Sequence, residues 1–394
     1  MSTLSPEFGV RALFFSYFAF IGGISPYLSL YLSQQGHSIE RIGVLMALPQ
    51  LMRIIAPPFW GWLADATHRY RMMLRVSAMA TLILALAMPW AGSSYAAIFI
   101  VLSLLFFASA AQAPIAEATA LSFSAGDTGV YGRIRLWGSI GFLLAVVLIG
   151  PILDRTGIAR LPHALIVLLF LLVLVVWLVP QTQAPAPVLR TRQTRVRERL
   201  KQPAVMLFFI AAFLMIFAHA SLYAFFSLFL EQHGYSKTAI GVIWAIGVVI
   251  EIALFRVQKP LFVRFGAGTL LSLSLFTAAL RFGLIAASAG NLIVIVFIQF
   301  LHAITFGVHH SACMAYLHDW FTAQQQGRAQ AIFTTISYGL GGSLGGLVAG
   351  LLWSRWQPEA AFWGAALASL VAWAVFALSR RLAYAVGGKA SQGT

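Results

Sequence analysis

Acidic residues are scarce in this sequence. Its 394 residues include 11 Asp and Glu against 26 Lys and Arg, and charged residues make up only 9%. A soluble domain carries about 25%, so this chain has too little polar surface to stay dissolved in water. Cysteine is rarer still. The single Cys313 excludes an intramolecular disulfide and leaves no cysteine-based metal framework. No nucleophile–base set, phosphate loop or nucleotide motif is present, so an enzyme is not supported and no cofactor is expected. A non-transporting receptor finds no support either, because no soluble output domain is present. The net charge of +15 invites a nucleic-acid partner, but the basic residues sit in short clusters between apolar runs rather than on one face of a soluble module.

What the sequence does have is apolar length. Hydrophobic residues make up 60% and the mean hydropathy is +0.86. A bilayer core needs about 20 mostly apolar residues per helix. Twelve stretches meet that, near 9–33, 40–63, 72–92, 95–123, 131–152, 161–180, 204–231, 238–259, 268–288, 291–317, 327–353 and 359–379. The first is too long for a signal-peptide core and reads as an uncleaved span. The expected fold is all-α membrane, with residues 1–180 and 204–394 forming two six-helix bundles joined by a linker at 181–203.

Orientation follows from basic residues in short loops. One set carries Arg69, Arg71 and Arg75, then Arg190, Arg192, Arg195, Arg197, Arg199 and Lys201, then Arg256, Lys259 and Arg264; the other carries Arg41, Arg155, Arg160, Lys237 and Arg355. The richer set is expected in the cytoplasm, with both termini. The linker holds Pro185 and Pro187 beside its basic run. That run reads as an orientation signal in preference to a lipid site.

The halves repeat one another. At an offset of 198, Ser29, Leu30, Leu32, Gln34, Gly36, Ser38, Ile42, Gly43, Val44 and Ala47 recur as Ser227, Leu228, Leu230, Gln232, Gly234, Ser236, Ile240, Gly241, Val242 and Ala245. Six spans separate the copies, so both have the same membrane orientation, as in parallel repeats that rock about a central site. The same offset pairs Arg53 with Glu251, each about 20 Å into its helix.

A charge at the bilayer centre costs about 2.5–3.5 kcal/mol and usually faces a polar interior. The candidates are Arg53, Glu117, Arg135, Glu251, Arg281 and His302. Glu117 and Arg135 lie at similar depth on spans 4 and 5, in reach of one another; substrate contact and a purely structural ion pair both account for them. Glu251 is the one deep carboxylate of the second half and the first choice for a proton carrier, with His302 beside it. Three arginines against two glutamates leave one positive charge, which suits an anionic substrate. His219 and His302 serve equally as interhelical hydrogen-bonding groups. His309, His310, Cys313 and His318, with Asp319, have a superficial metal-site spacing, but no metal is expected. Glycines 339, 341, 342, 345, 346 and 350, with Gly138 and Gly141, allow close helix approach. Tyr17, Trp137 and Tyr223 are aromatic candidates for the cavity because they share helices with polar residues.

The run Gly61-Trp-Leu-Ala-Asp65-Ala-Thr-His-Arg69-Tyr-Arg71 resembles the signature loop of the major facilitator superfamily, in which the acidic residue and basic cluster brace a cytoplasmic gate. Asp65 and Arg69 fit; His68 stands where glycine is usual. Tyr131-Gly-Arg-Ile-Arg135-Leu-Trp137-Gly138-Ser, with Pro114-Ile-Ala-Glu117-Ala upstream, resembles the lactose permeases, whose matching glutamate and arginine bind sugar. A wider resemblance, through Trp244–Phe255 with Glu251 and Leu301-His302 to Ala312, is to the bacterial 3-phenylpropionate permeases, regarded as proton symporters of aromatic acids. Two departures stand out. The lactose permease glutamate one turn past the span-10 histidine is Thr305 here, leaving coupling to Glu251 or, alternatively, Glu117. The sugar-stacking aromatic of span 5 is Phe142.

The resemblance implies a monomeric, proton-coupled importer of a small aromatic carboxylate in the bacterial inner membrane. Arg135 and Glu117 would orient the ligand, Arg53 or Arg281 would attract its carboxylate, and Glu251 with His302 would handle the proton. A sugar or nucleoside symporter and an efflux carrier are the alternatives. The partners expected are the small-molecule substrate, protons and membrane lipid.

Overall fold

The computed structural model describes residues 6–124, 127–179 and 196–391, apart from the side chains at positions 6, 65, 128 and 384–391. Most of the expected linker lies outside these residues, including Pro185, Pro187, Arg190, Arg192 and Arg195.

Eleven helices among the described residues are long and apolar enough to cross a bilayer. They are span 1 (Glu7–Gln34), span 2 (Ile39–Ala64), span 3 (Tyr70–Ala91), span 4 (Tyr95–Ser124), span 5 (Gly129–Thr156), span 6 (Ile158–Val176), span 7 (Pro203–Gln232), Lys237–Ser288, span 10 (Leu292–Trp320), span 11 (Ala323–Arg355) and span 12 (Pro358–Ala383). The 52-residue segment Lys237–Ser288 is two crossings. At about 1.5 Å per residue it would run more than twice the thickness of a hydrocarbon core, and Gly266 breaks it at φ 74° and ψ 154°. Spans 8 and 9 are its two arms, so twelve helices cross.

The sequence repeat is repeated in the backbone. Gly36 and Gly234 both sit at φ 84°. Two residues on, the Ser38 and Ser236 hydroxyls accept the N–H groups of Arg41 and Ala239, so the same N-cap opens spans 2 and 8. Spans 1 and 7 are the most buried of the set, and each is held by glycines of a later helix. A Cβ on Gly141 of span 5 would land on the Phe15 carbonyl oxygen of span 1; one on Gly341 of span 11 would lie 2.8 Å from the Phe213 carbonyl oxygen of span 7. Phe15 and Phe213 are related by the 198-residue offset.

The chain forms two compact units. One comprises Met1–Val188 with Leu230–Ala245, the other Leu189–Phe229 with Ile246–Thr394. Within the first unit, Asp127 opens span 5 by accepting the Gly129 and Val130 N–H groups at 2.7 and 3.1 Å. These bonds to the ionised form hold its carboxyl below the usual aspartate range. Asp154, at the other end of span 5, accepts from the first residues of span 8. Its Oδ1 takes the Lys237 N–H at 2.8 Å and its Oδ2 takes the Thr238 N–H and hydroxyl at 2.9 and 2.5 Å. The contact is close because Gly150 lies against the Lys237 and Thr238 backbone and Gly241 against Val146 and the Tyr27 hydroxyl. That hydroxyl donates to the Val146 carbonyl at 2.7 Å.

Candidate functional site

In the first unit, spans 1, 2, 4 and 5 gather the polar candidates. Span 5 carries Tyr131 and Arg135 four residues apart, hence on one face, and span 4 presents Glu117 to both. The Arg135 Nε lies 3.1 Å from Glu117 Oε1, and the Tyr131 hydroxyl donates to Oε2 at 2.6 Å. Span 1 supplies the floor: the Arg135 guanidinium carbon sits 4.4 Å from the Phe18 ring centroid and 5.6 Å from that of Phe14. Gly138 opens the space, since a Cβ there would press on Phe18 and on an Arg135 nitrogen. About a third of each charged side chain is exposed. The pair is therefore reachable, unlike a sealed structural bridge. The Tyr17 ring stands edge-on to Phe18 at 5.1 Å, and its hydroxyl is in electrostatic reach of both Arg53 and Arg135. Arg53 is exposed, partway along span 2.

Trp137 is the exception. Two residues past Arg135, it lies about 200° around the helix; it meets Phe15 edge-on at 6.5 Å and is otherwise exposed. Tyr131 was not singled out from the sequence, although its spacing from Arg135 carried the signal.

In the second unit, spans 8, 9 and 10 gather Glu251, Arg281 and His302. Two glycines let the helices meet. Gly247, one turn before Glu251, faces the His302 ring and Gln299, while Gly307 of span 10 faces the Glu251 side chain. Glu251 Oε2 thereby lies 3.6 Å from His302 Nε2, with both side chains largely buried. The His302 ring stacks on Phe306 at 5.5 Å. Glu251 is also in electrostatic reach of His310, whose Nδ1 lies 3.2 Å from the Tyr338 hydroxyl. The sequence placed His310 only in a set considered for metal; the structure places it in electrostatic reach of the carboxylate.

Both distal helices carry a π-helical segment here, Ala303–Val308 in span 10 and Thr334–Gly341 in span 11. Such segments cluster at functional sites.

Arg281 is fully buried. Its Nε donates to the Ile298 carbonyl at 3.1 Å and its Nη1 to the Thr305 hydroxyl at 3.2 Å. Thr305 stands where the lactose permease glutamate is expected, so a neutral hydroxyl meets this cation. Tyr223 is in electrostatic reach of Arg281 and meets Phe306 edge-on at 6.5 Å. His219 is buried, its Nδ1 on the Met215 carbonyl at 2.9 Å.

Of the gate candidates, the Asp65 side chain lies outside the described residues. Arg69 is exposed and precedes span 3 directly. His68 closes span 2 in the left-handed region at φ 52° and ψ 26°, the conformation that glycine adopts without cost. Among the described residues, no three His, Cys, Asp or Glu side chains are grouped to hold a metal ion.

Residues 9–364 match the family described as MFS_1 like. The chain is 29% identical over 373 residues to the probable 3-phenylpropionic acid transporter of Escherichia coli (strain K12), covering 91% of this chain and 94% of that protein. It is likewise 29% identical over 351 residues to the maltose permease of Geobacillus stearothermophilus, covering 89% and 88%. The structure of the nucleoside transporter NupG superposes with a TM-score of 0.79 at 19% identity, covering 95% of this chain and 99% of that one. A peptide transporter of the POT family superposes at 0.75 and 15% identity, covering 95% and 94%. At those identities the two structures speak for the fold alone. Twelve crossings, a parallel repeat and a family match across most of its length make this chain a member of the MFS_1 like family, a multi-pass secondary transporter of a small molecule with the major facilitator fold.

Proposed function

We propose that the protein imports a small aromatic carboxylate, such as 3-phenylpropionate, together with protons, by alternating access across a bacterial inner membrane with both termini in the cytoplasm. The observation that carries this reading is the reachable polar cluster in the first unit. Arg135, paired with Glu117 and about a third exposed, stands with Arg53 in electrostatic reach of Tyr17. Two guanidinium groups and a phenol hydroxyl are the donors that a ligand carboxylate takes. Arg53 takes the carboxylate and the Arg135–Glu117 pair orients the ligand. Phe18, partly exposed, offers apolar area for an aromatic ring, with Tyr17 edge-on to it. Arg281 is engaged by span 10 and acts there rather than on the ligand.

Glu251 carries the proton. Its Oε2 lies 3.6 Å from His302 Nε2, and it is in electrostatic reach of His310. The name of one relative, a 3-phenylpropionic acid transporter, agrees with this substrate class.

Symport of a sugar or nucleoside is the second reading. It is favoured by the Glu117 carboxylate and Tyr131 hydroxyl, which suit hydroxyl-bearing ligands, and by the maltose and nucleoside transporters among the similar proteins.

The test is uptake of labelled 3-phenylpropionate into proteoliposomes, with and without an inward proton gradient. Gradient-driven accumulation is expected. Absence of uptake, with maltose or uridine transported by the same vesicles, would replace the first reading with the second.

A further inference from the structure

Two arginines outside the polar clusters are held in an unusual way. Arg71 and Arg75 lie one turn apart at the start of span 3, and both reach Trp177 just past the end of span 6. Arg71 Nη2 donates to the Trp177 carbonyl at 3.1 Å. The Arg75 guanidinium carbon lies 3.9 Å from the Trp177 ring centroid. The Nε of each arginine is shielded and has no hydrogen-bond partner. Neither forms an ion pair with a carboxylate among the described residues. Two like charges one turn apart repel one another, so this end of the seam is a cationic spot with no compensating carboxylate among the described residues.

Below it, both helices turn apolar surface outward. Met72, Val76, Met79 and Ile83 are exposed along span 3, and Phe170 and Leu174 along span 6. Their helical spacing makes two continuous strips that meet the bilayer. A ligand that satisfies the guanidinium donors and the strips together has an anionic oxygen head and a hydrocarbon tail. Trp177 is itself half exposed, with the amphipathic ring that settles at headgroup level.

We propose that the seam between spans 3 and 6 binds an anionic phospholipid, its phosphate on Arg71 and Arg75 and an acyl chain along the two strips. Guanidinium forks bind phosphate oxygens in bidentate fashion, and two such groups stand one turn apart at this seam. The apolar strips select a lipid over a soluble phosphate. This inference is independent of the transported substrate.

Native mass spectrometry of the full-length protein in detergent tests it, with phosphatidylglycerol and phosphatidylethanolamine of matched chains as probes. A basic residue near an anionic membrane is worth on the order of fivefold in binding. The unaltered protein is expected to retain phosphatidylglycerol over phosphatidylethanolamine by at least that factor. Arg71→Gln/Arg75→Gln should abolish the preference while leaving phosphatidylethanolamine retention unchanged; Arg197→Gln should keep it. If the double variant is not recovered folded, the single variants should each lose about fivefold. Glycerol phosphate at millimolar concentration should not displace the lipid. Equal retention of the two lipids by the unaltered protein, or an undiminished preference in the substituted one, overturns the proposal. Displacement by glycerol phosphate would make this a soluble-phosphate site and overturn it too.

Discussion

The Asp154 carboxylate caps a helix 84 residues away: it accepts both the N–H and the hydroxyl of Thr238 at the start of span 8, in addition to the Lys237 N–H. Loss of an N-cap acceptor costs about 1 kcal/mol. Asp154→Ala should therefore lower the melting temperature of the purified protein by a few degrees in scanning fluorimetry. Thr238→Val, which removes one of the three donors, should lower it less. Equal melting of both variants and the unaltered protein would remove the cap from any account of stability.

Arg135 binds Glu117 through Nε and holds its guanidinium over the Phe18 ring, 4.4 Å from the centroid. An ammonium group cannot do both, because it has neither the planar face nor the fork. Arg135→Ala should abolish uptake with membrane insertion intact. Arg135→Lys should leave less than about a tenth of the activity, the loss expected for about 1.4 kcal/mol. Normal uptake by either variant would remove Arg135 from the ligand site.

Glu251→Gln keeps the size of the side chain and removes the ionisable group beside His302. It should permit exchange of labelled for unlabelled substrate and stop accumulation driven by a proton gradient. Comparing the two assays on one vesicle preparation checks this. Accumulation in the variant would transfer the proton to Glu117.

His68 occupies a left-handed position, and its counterpart at the 198-residue offset is Gly266, at φ 74° and ψ 154°. Only glycine enters the second region readily. Nothing lies within 4 Å of a Cβ built at Gly266, so substitution there is a test of backbone strain alone. Gly266→Ala should destabilise by about 1–3 kcal/mol. His68→Gly should stabilise by about 0.5–1 kcal/mol, since glycine's extra chain entropy offsets part of the relief. Thermal melts of the two variants should move in opposite directions.

The twelve crossings and the repeat were legible because lipid permits few patterns. Apolar length and basic loops read directly as helices, and an ungapped offset reads as duplication. Glu117 and Arg135 were legible as a pair because equal depth on consecutive spans limits their separation. Trp137 shares a helix with Arg135 without sharing its face, since a spacing of two residues turns it about 200° away. The Asp154 cap could not be read, since no local pattern ties a helix end to an acceptor 84 residues distant. The roles of Gly247 and Gly307 were hidden for a similar reason: a glycine's neighbour belongs to another helix.

The π-helical turn between His302 and His310 has a geometric consequence. Such a turn spends one residue more than an α-turn for the same advance, so it shifts the phase of everything after it by about 100°. Span 10 is thus a shaft with a step cut into it, and the two histidines sit on opposite sides of the step. Removing a single residue between 303 and 308 would swing His310, Cys313 and the rest of the helix around the shaft while His302 kept its aim at Glu251. The angular setting between the two imidazoles is written in the bonding register of six residues, with no charge among them.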